Sequence, residues 1–133
     1  MKPFVVRISD TENPGHVIVL DLICARYAED ALQRALSRHN TKLAQFGADR
    51  CFGIPKVLGM DYFHSTRDHF DYIAYDFASL VAPHRGQHGP EFDEVINALT
   101  GQNVTPESFM ANRVKALKML RRWFADGIPE PNK

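Results

Sequence analysis

The stretch "HSTRDHFDYIAYDF", residues 64–77, decides how the chain folds, because it can be written as a helix or as half of a hairpin. As a helix, Ser65 is the N-cap and Asp68, three places on, completes the general form of a capping box. Phe70, Ile73, Phe77, Leu80 and Val81 then recur at helical spacing, with Ala74 on the same side. His69, Asp71, Tyr72, Tyr75, Asp76 and Ser79 face outward or flank that stripe. As a hairpin, "HFDYIAYDF" pairs with "KVLGMDYF" (56–63) across "HSTRD", and its Phe, Tyr and Ile content suits a strand. Apolar side chains occupy both phases, so strand alternation is poor. The periodicity therefore predicts a helix that follows this cap and takes in 68–82, preceded by a short strand at 56–63.

Upstream, "FVVRISD" (4–10) and "VIVLDLICA" (17–25) read as strands joined by the Asn-Pro-Gly turn chemistry of "TENPGH". In the second strand Val17, Val19, Asp21 and Ile23 share one side. The period then changes. "YAEDALQRALSRHN" places Ala28, Ala31, Leu32, Ala35 and Leu36 at helical spacing, with acids leading and bases closing. "TKLAQFGADRCFGIP" (41–55) reads as loop, with Gly47, Gly53 and Pro55 as breakers.

Downstream, "APHRGQHGP" (82–90) is a loop that ends in a proline suited to the first turn of the next helix, "EFDEVINALTG". Phe92, Val95, Ile96 and Leu99 share a face there, and Gly101 stops it. The last helix has the clearest boundaries, with Thr105 as N-cap, Pro106 at the first position, and Gly127 and Pro129 at its end. Steps of about 100° per residue put Phe109, Met110, Val114, Ala116, Leu117, Leu120, Trp123 and Phe124 on one apolar arc. The fold class is α+β: a small antiparallel sheet from the N-terminal half (β-β-α-β) and a helical C-terminal half. Residues 1–128 form one domain, and 129–133 a short tail.

The 133 residues are 44% apolar and 24% charged, enough for a packed core. Sixteen acids balance sixteen bases, which argues against the excess positive charge of a nucleic-acid or anionic-membrane binder. The neutral total hides a split. Residues 61–94 hold seven acids against two bases, and 95–125 hold five bases against one acid. "MKPFVVRISD" is no signal peptide, and no run approaches the ~20 apolar residues of a membrane span. Cys24 and Cys51 form no close-spaced pair, and each reads as a packing residue. A reduced, cytoplasmic protein is expected.

Four histidines, His64, His69, His84 and His88, lie near Asp61, Asp68 and Asp71. Zinc or iron wants three or four such ligands on a fixed frame. His64 and His69, five apart, match neither a helix face nor a strand face, and His84 and His88, four apart, enclose Gly86 in a proline-flanked loop. No metal or cofactor is expected; a metal, if one binds, takes these histidines. Ser65 and Thr66 beside His64 and Asp68 do not make a nucleophile–base pair, because neighbours on a turn seldom point at a common atom.

The absence of an assembled catalytic motif favours a non-enzymatic binding or regulatory protein that works through a protein interface. Its candidate residues are Asp71, Tyr75 and Asp76 on the acidic side, and Arg113, Lys115, Lys118, Arg122 and Trp123 on the last helix. Arg113 falls at the centre of the apolar arc and needs an anionic partner, Asp71 or Asp76 within the fold or an outside group. A homodimer would set the acidic middle of one chain against the basic helix of another. The alternatives are an acid–base or metal-dependent enzyme using the 64–88 His/Asp cluster, and nucleic-acid contact through the basic last helix.

Overall fold

The computed structural model describes residues 2–13, 16–45, 62–67, 69–101 and 104–126, apart from the side chains of 67 and 123–126. Two compact units divide between Asp76 and Phe77.

The first unit is a four-stranded antiparallel sheet with a helix on one face. Its elements are β1 (Lys2–Asp10), β2 (Val17–Ala25), α1 (Ala28–Arg38), α2 (Asn40–Gln45), β3 (Tyr62–Arg67) and β4 (Phe70–Asp76). The strand order is β2-β1-β4-β3. The turn expected from "TENPGH" joins β1 to β2. There the Asp10 carboxylate accepts the Glu12 N–H at 2.9 Å, and the Asp10 N–H donates to the His16 carbonyl at 3.2 Å.

Phe4, Val6 and Ile8 of β1 lie level with Ile23, Asp21 and Val19 of β2, and with Asp76, Ala74 and Tyr72 of β4. Ala28, Ala31, Leu32, Ala35 and Leu36 of α1 join most of these side chains in one core. Each large apolar side chain buried there contributes about 1.5–3 kcal/mol of transfer free energy.

The helix expected through 68–82 forms only in its last part, Phe77–Val81. Residues 64–67 belong to β3 and 70–76 to β4, with Thr66 opposite Asp71 and His64 opposite Ile73. Ser65 is therefore a mid-strand residue opposite Tyr72, not a helix cap. His69 makes the reversal with a positive φ of 68°, a region that histidine enters more readily than most residues. Both the N–H and the hydroxyl of Thr11 donate to the His69 carbonyl at 3.0 Å and hold that turn.

The reason lies in burial. β4 is an inner strand, and Tyr72, Ile73, Ala74, Tyr75 and Asp76 are all buried, so a strand packed on both faces shows no apolar–polar alternation. Helical periodicity begins only at Phe77. Of the strand expected at 56–63, Tyr62 and Phe63 belong to β3, which runs on to Arg67, and 56–61 lie outside the described residues. A further correction falls at 41–45. These residues belong to the short helix α2, whose Leu43 enters the core, where the sequence reads as loop.

The second unit is helical: α3 (Phe77–Val81), a 3-10 turn at Ala82–His84, α4 (Pro90–Thr100) and α5 (Pro106–Asp126). As expected, α4 buries Phe92, Val95, Ile96 and Leu99. At Gly101 the N–H donates to the Asn97 carbonyl at 3.0 Å, and a Cβ would sit 2.9 Å from that oxygen. Close approach of backbone, rather than a left-handed φ, is what requires glycine there. Thr105 caps α5 as expected, but its reciprocal partner is Ser108. The Ser108 N–H donates to Thr105 Oγ1 at 3.1 Å, and the Thr105 N–H donates to Ser108 Oγ at 3.2 Å. Gly127, Pro129 and the tail lie outside the described residues.

Candidate functional site

The candidate residues fall into separate places. On β3 and β4, one Asp71 carboxylate oxygen meets His64 Nε2 at 2.5 Å and accepts the Thr66 hydroxyl at 3.2 Å. His64 and Asp71 are diagonal neighbours on one sheet face, and Thr66 stands directly opposite Asp71. This is the local form of a base-orienting pair. Thr66, however, is bonded to the carboxylate rather than to the imidazole, so these contacts build no nucleophile–base relay.

The other two acidic-side candidates are closed off. Tyr75 is buried and stacks on Tyr62 at 6.1 Å, and Asp76 is buried with Lys2 Nζ 3.8 Å away. His69 serves the hairpin turn. Asp61, Asp68 and Cys51 lie outside the described residues. Cys24 is a free, half-buried thiol, and burial pushes its pKa up, away from the thiolate a nucleophile needs.

His84 and His88 are brought together in the loop before α4. His84 Nδ1 and His88 Nε2 are 3.0 Å apart, and the His88 ring leans on Phe92 at 4.8 Å. Burial, and then the neighbouring His88, lower the pKa of His84. Among the described residues no three His, Cys, Asp or Glu side chains gather as a metal-holding group.

Sequence reasoning missed one buried polar cluster. Asp21, 1% exposed on the α1 face of β2, accepts the Leu22 N–H at 2.8 Å, contacts Arg38 Nη1 at 3.2 Å and meets His39 Nε2 at 2.7 Å. It ties the C-terminal end of α1 to the sheet. Its signal was an aspartate on the apolar side of a strand, a place that demands hydrogen-bonded partners.

On α5, Phe109, Ala116, Leu117 and Leu120 are buried, but Met110 and Val114 are 61% and 56% exposed, a correction to the full apolar arc. Glu107, Lys115, Lys118, Arg121 and Arg122 are exposed on the same helix, and Arg113 is half-buried. The Trp123 side chain lies outside the described residues. α3, α4 and α5 line a partly open apolar pocket of about 10 Å³ beside Phe77, Phe92, Ile96 and Leu120, room for no more than one water. Among the described residues no helix is long and apolar enough to cross a membrane.

The sheet, its covering helix and the helical unit define an α+β protein. No family model matches the chain, and neither a curated protein nor a solved structure matches it.

Proposed function

We propose that this chain is a non-enzymatic, cytoplasmic binding protein of regulatory type that works through a protein interface on the exposed flank of α5, first of all with a second copy of itself. The observation that carries the reading is the exposure of Met110 and Val114, one helical turn apart. Methionine adapts its shape to a partner surface at small energetic cost.

Charge selects the occupant. Glu107, Met110, Val114, Lys118 and Arg121 follow one another at spacings of three and four along the flank, all exposed. Glu107 and Arg121 stand at equal distances from Val114 in the sequence. In an antiparallel pair of α5 helices with a two-fold axis at Val114, Glu107 of each copy meets Arg121 of the other. Met110 then faces the aliphatic stem of Lys118. The free thiol of Cys24 suits a reducing compartment.

Light scattering on the eluting protein tests this. A concentration-dependent dimer that Val114→Asp converts to a folded monomer is expected. A wild-type chain that stays monomeric at every concentration reached overturns the reading.

A further inference from the structure

The loop between the 3-10 turn and α4 is tied down to a degree that surface loops seldom are. Arg85 donates to Asn97 Oδ1 at 2.6 Å and to Thr100 Oγ1 at 3.3 Å, fastening the loop along α4. The Gly86 N–H donates to Asp93 Oδ1 at 3.1 Å. Gln87 donates from its backbone to the His84 carbonyl at 3.1 Å and from its side chain to the Pro83 carbonyl at 3.0 Å. Gly86 and Gly89 take φ values of 78° and 97°, which side-chain-bearing residues rarely adopt. The product of this bracing is one juxtaposition: His84 Nδ1 and His88 Nε2 at 3.0 Å, with His88 steadied by Phe92.

That separation has chemical meaning. Two imidazole nitrogens bound about 2.0–2.1 Å from one metal ion lie about 2.9 Å apart at a right angle and about 3.4 Å apart in a tetrahedron. The observed pair falls in that interval. Imidazole pairs suit zinc, nickel and copper, whereas hard cations such as magnesium and calcium want oxygen ligands.

We infer that His84 and His88 form a two-imidazole site for a divalent late-transition-metal ion, with water completing its coordination shell. In the metal-free protein the facing nitrogens share one N–H···N hydrogen bond. On binding, each ring swings by roughly 35–45° from its present head-on position, with ring centroids 5.2 Å apart, so that the two lone pairs aim at a common point. The ring that carries its proton on the facing nitrogen then carries it on the other one. Two new metal–nitrogen bonds replace two metal–water bonds, and nothing is oxidised or reduced. Open water positions make this a site for reversible metal capture, or for bridging to a further donor on another molecule. The site is independent of the α5 flank.

The test uses untagged, metal-free protein at near-neutral pH, titrated with Ni²⁺ or Zn²⁺ in a calorimeter, with Ni²⁺-induced broadening of amide NMR signals as the positional readout. One equivalent is expected to bind, with broadening centred on residues 84–88. His84→Ala and His88→Gln each weaken binding at least tenfold, since even groups that merely orient a ligand are worth roughly ten- to hundredfold. His64→Ala leaves binding unchanged, and Mg²⁺ does not compete. Gly86→Ala, which opposes the left-handed loop, weakens binding less than loss of either ligand. Absence of saturable binding by the wild type, or wild-type affinity in both His84→Ala and His88→Gln, overturns the inference.

Discussion

His64 and Asp71 meet Nε2 to Oδ1 at 2.5 Å across the β3–β4 ladder, a contact that exists only because the chain reverses between them. Seven residues apart on a helix, they would stand about 10.5 Å distant along the axis. The pair therefore reports the hairpin directly. It is also half exposed, with side chains 46% and 25% accessible, so its energetic worth is small.

A double-mutant cycle on His64→Ala and Asp71→Ala should give a coupling of about 0.2–1 kcal/mol in urea unfolding, the range of exposed pairs. A coupling well above about 1 kcal/mol would contradict the small worth assigned to this half-exposed pair.

Asp21→Ala should cost far more. The buried carboxylate holds a backbone N–H, Arg38 and His39, and its removal leaves the α1 terminus without its anchor. Loss of a buried, charge-assisted network costs about 2–4 kcal/mol, taken toward the lower end because the Arg38 side chain is 54% exposed. A change below about 0.5 kcal/mol, the scale of ordinary surface substitutions, would contradict the anchoring role.

Asp30 supplies a pH dependence. Burial pushes its carboxyl up, but the Arg26 N–H at 3.3 Å and the Arg34 and Arg26 guanidinium groups outweigh it and hold the pKa below the usual 3.8. The unfolded chain then takes up the proton first as the solution is acidified. The stabilisation is whole above the ordinary aspartate range and is lost as pH falls through the lower, folded value. The stability difference between wild type and Asp30→Asn should therefore be largest near neutrality and shrink below about pH 4. A difference that stays constant on acidification would remove Asp30 from that role.

Much of this architecture is legible in the sequence wherever local chemistry marks a boundary. The turn chemistry that follows Asp10 marks the first hairpin, Pro90 and Gly101 bracket α4, and Thr105 starts α5. Reading failed at β4 because Tyr72 through Asp76 are buried on both faces, which erases the period that separates a strand from a helix. The exposure of Met110 and Val114 was equally invisible, since a helical wheel orders side chains around an axis without knowing where packing stops. His84 and His88 share no face of a regular element. They meet because Arg85 and Gly86 fold their loop onto α4, a tertiary event with no local signature.

The antiparallel pairing of α5 meets its most direct test in charge reversal followed by sedimentation velocity. Glu107→Arg alone and Arg121→Glu alone should each shift the protein toward monomer, because each sets like charges against one another across the two-fold axis. The doubly reversed chain should regain the wild-type dimer, since opposite charges face each other again. If the double variant remains as dissociated as the single ones, or if none of the three differs from wild type, Glu107 and Arg121 do not face each other and the proposed interface is wrong.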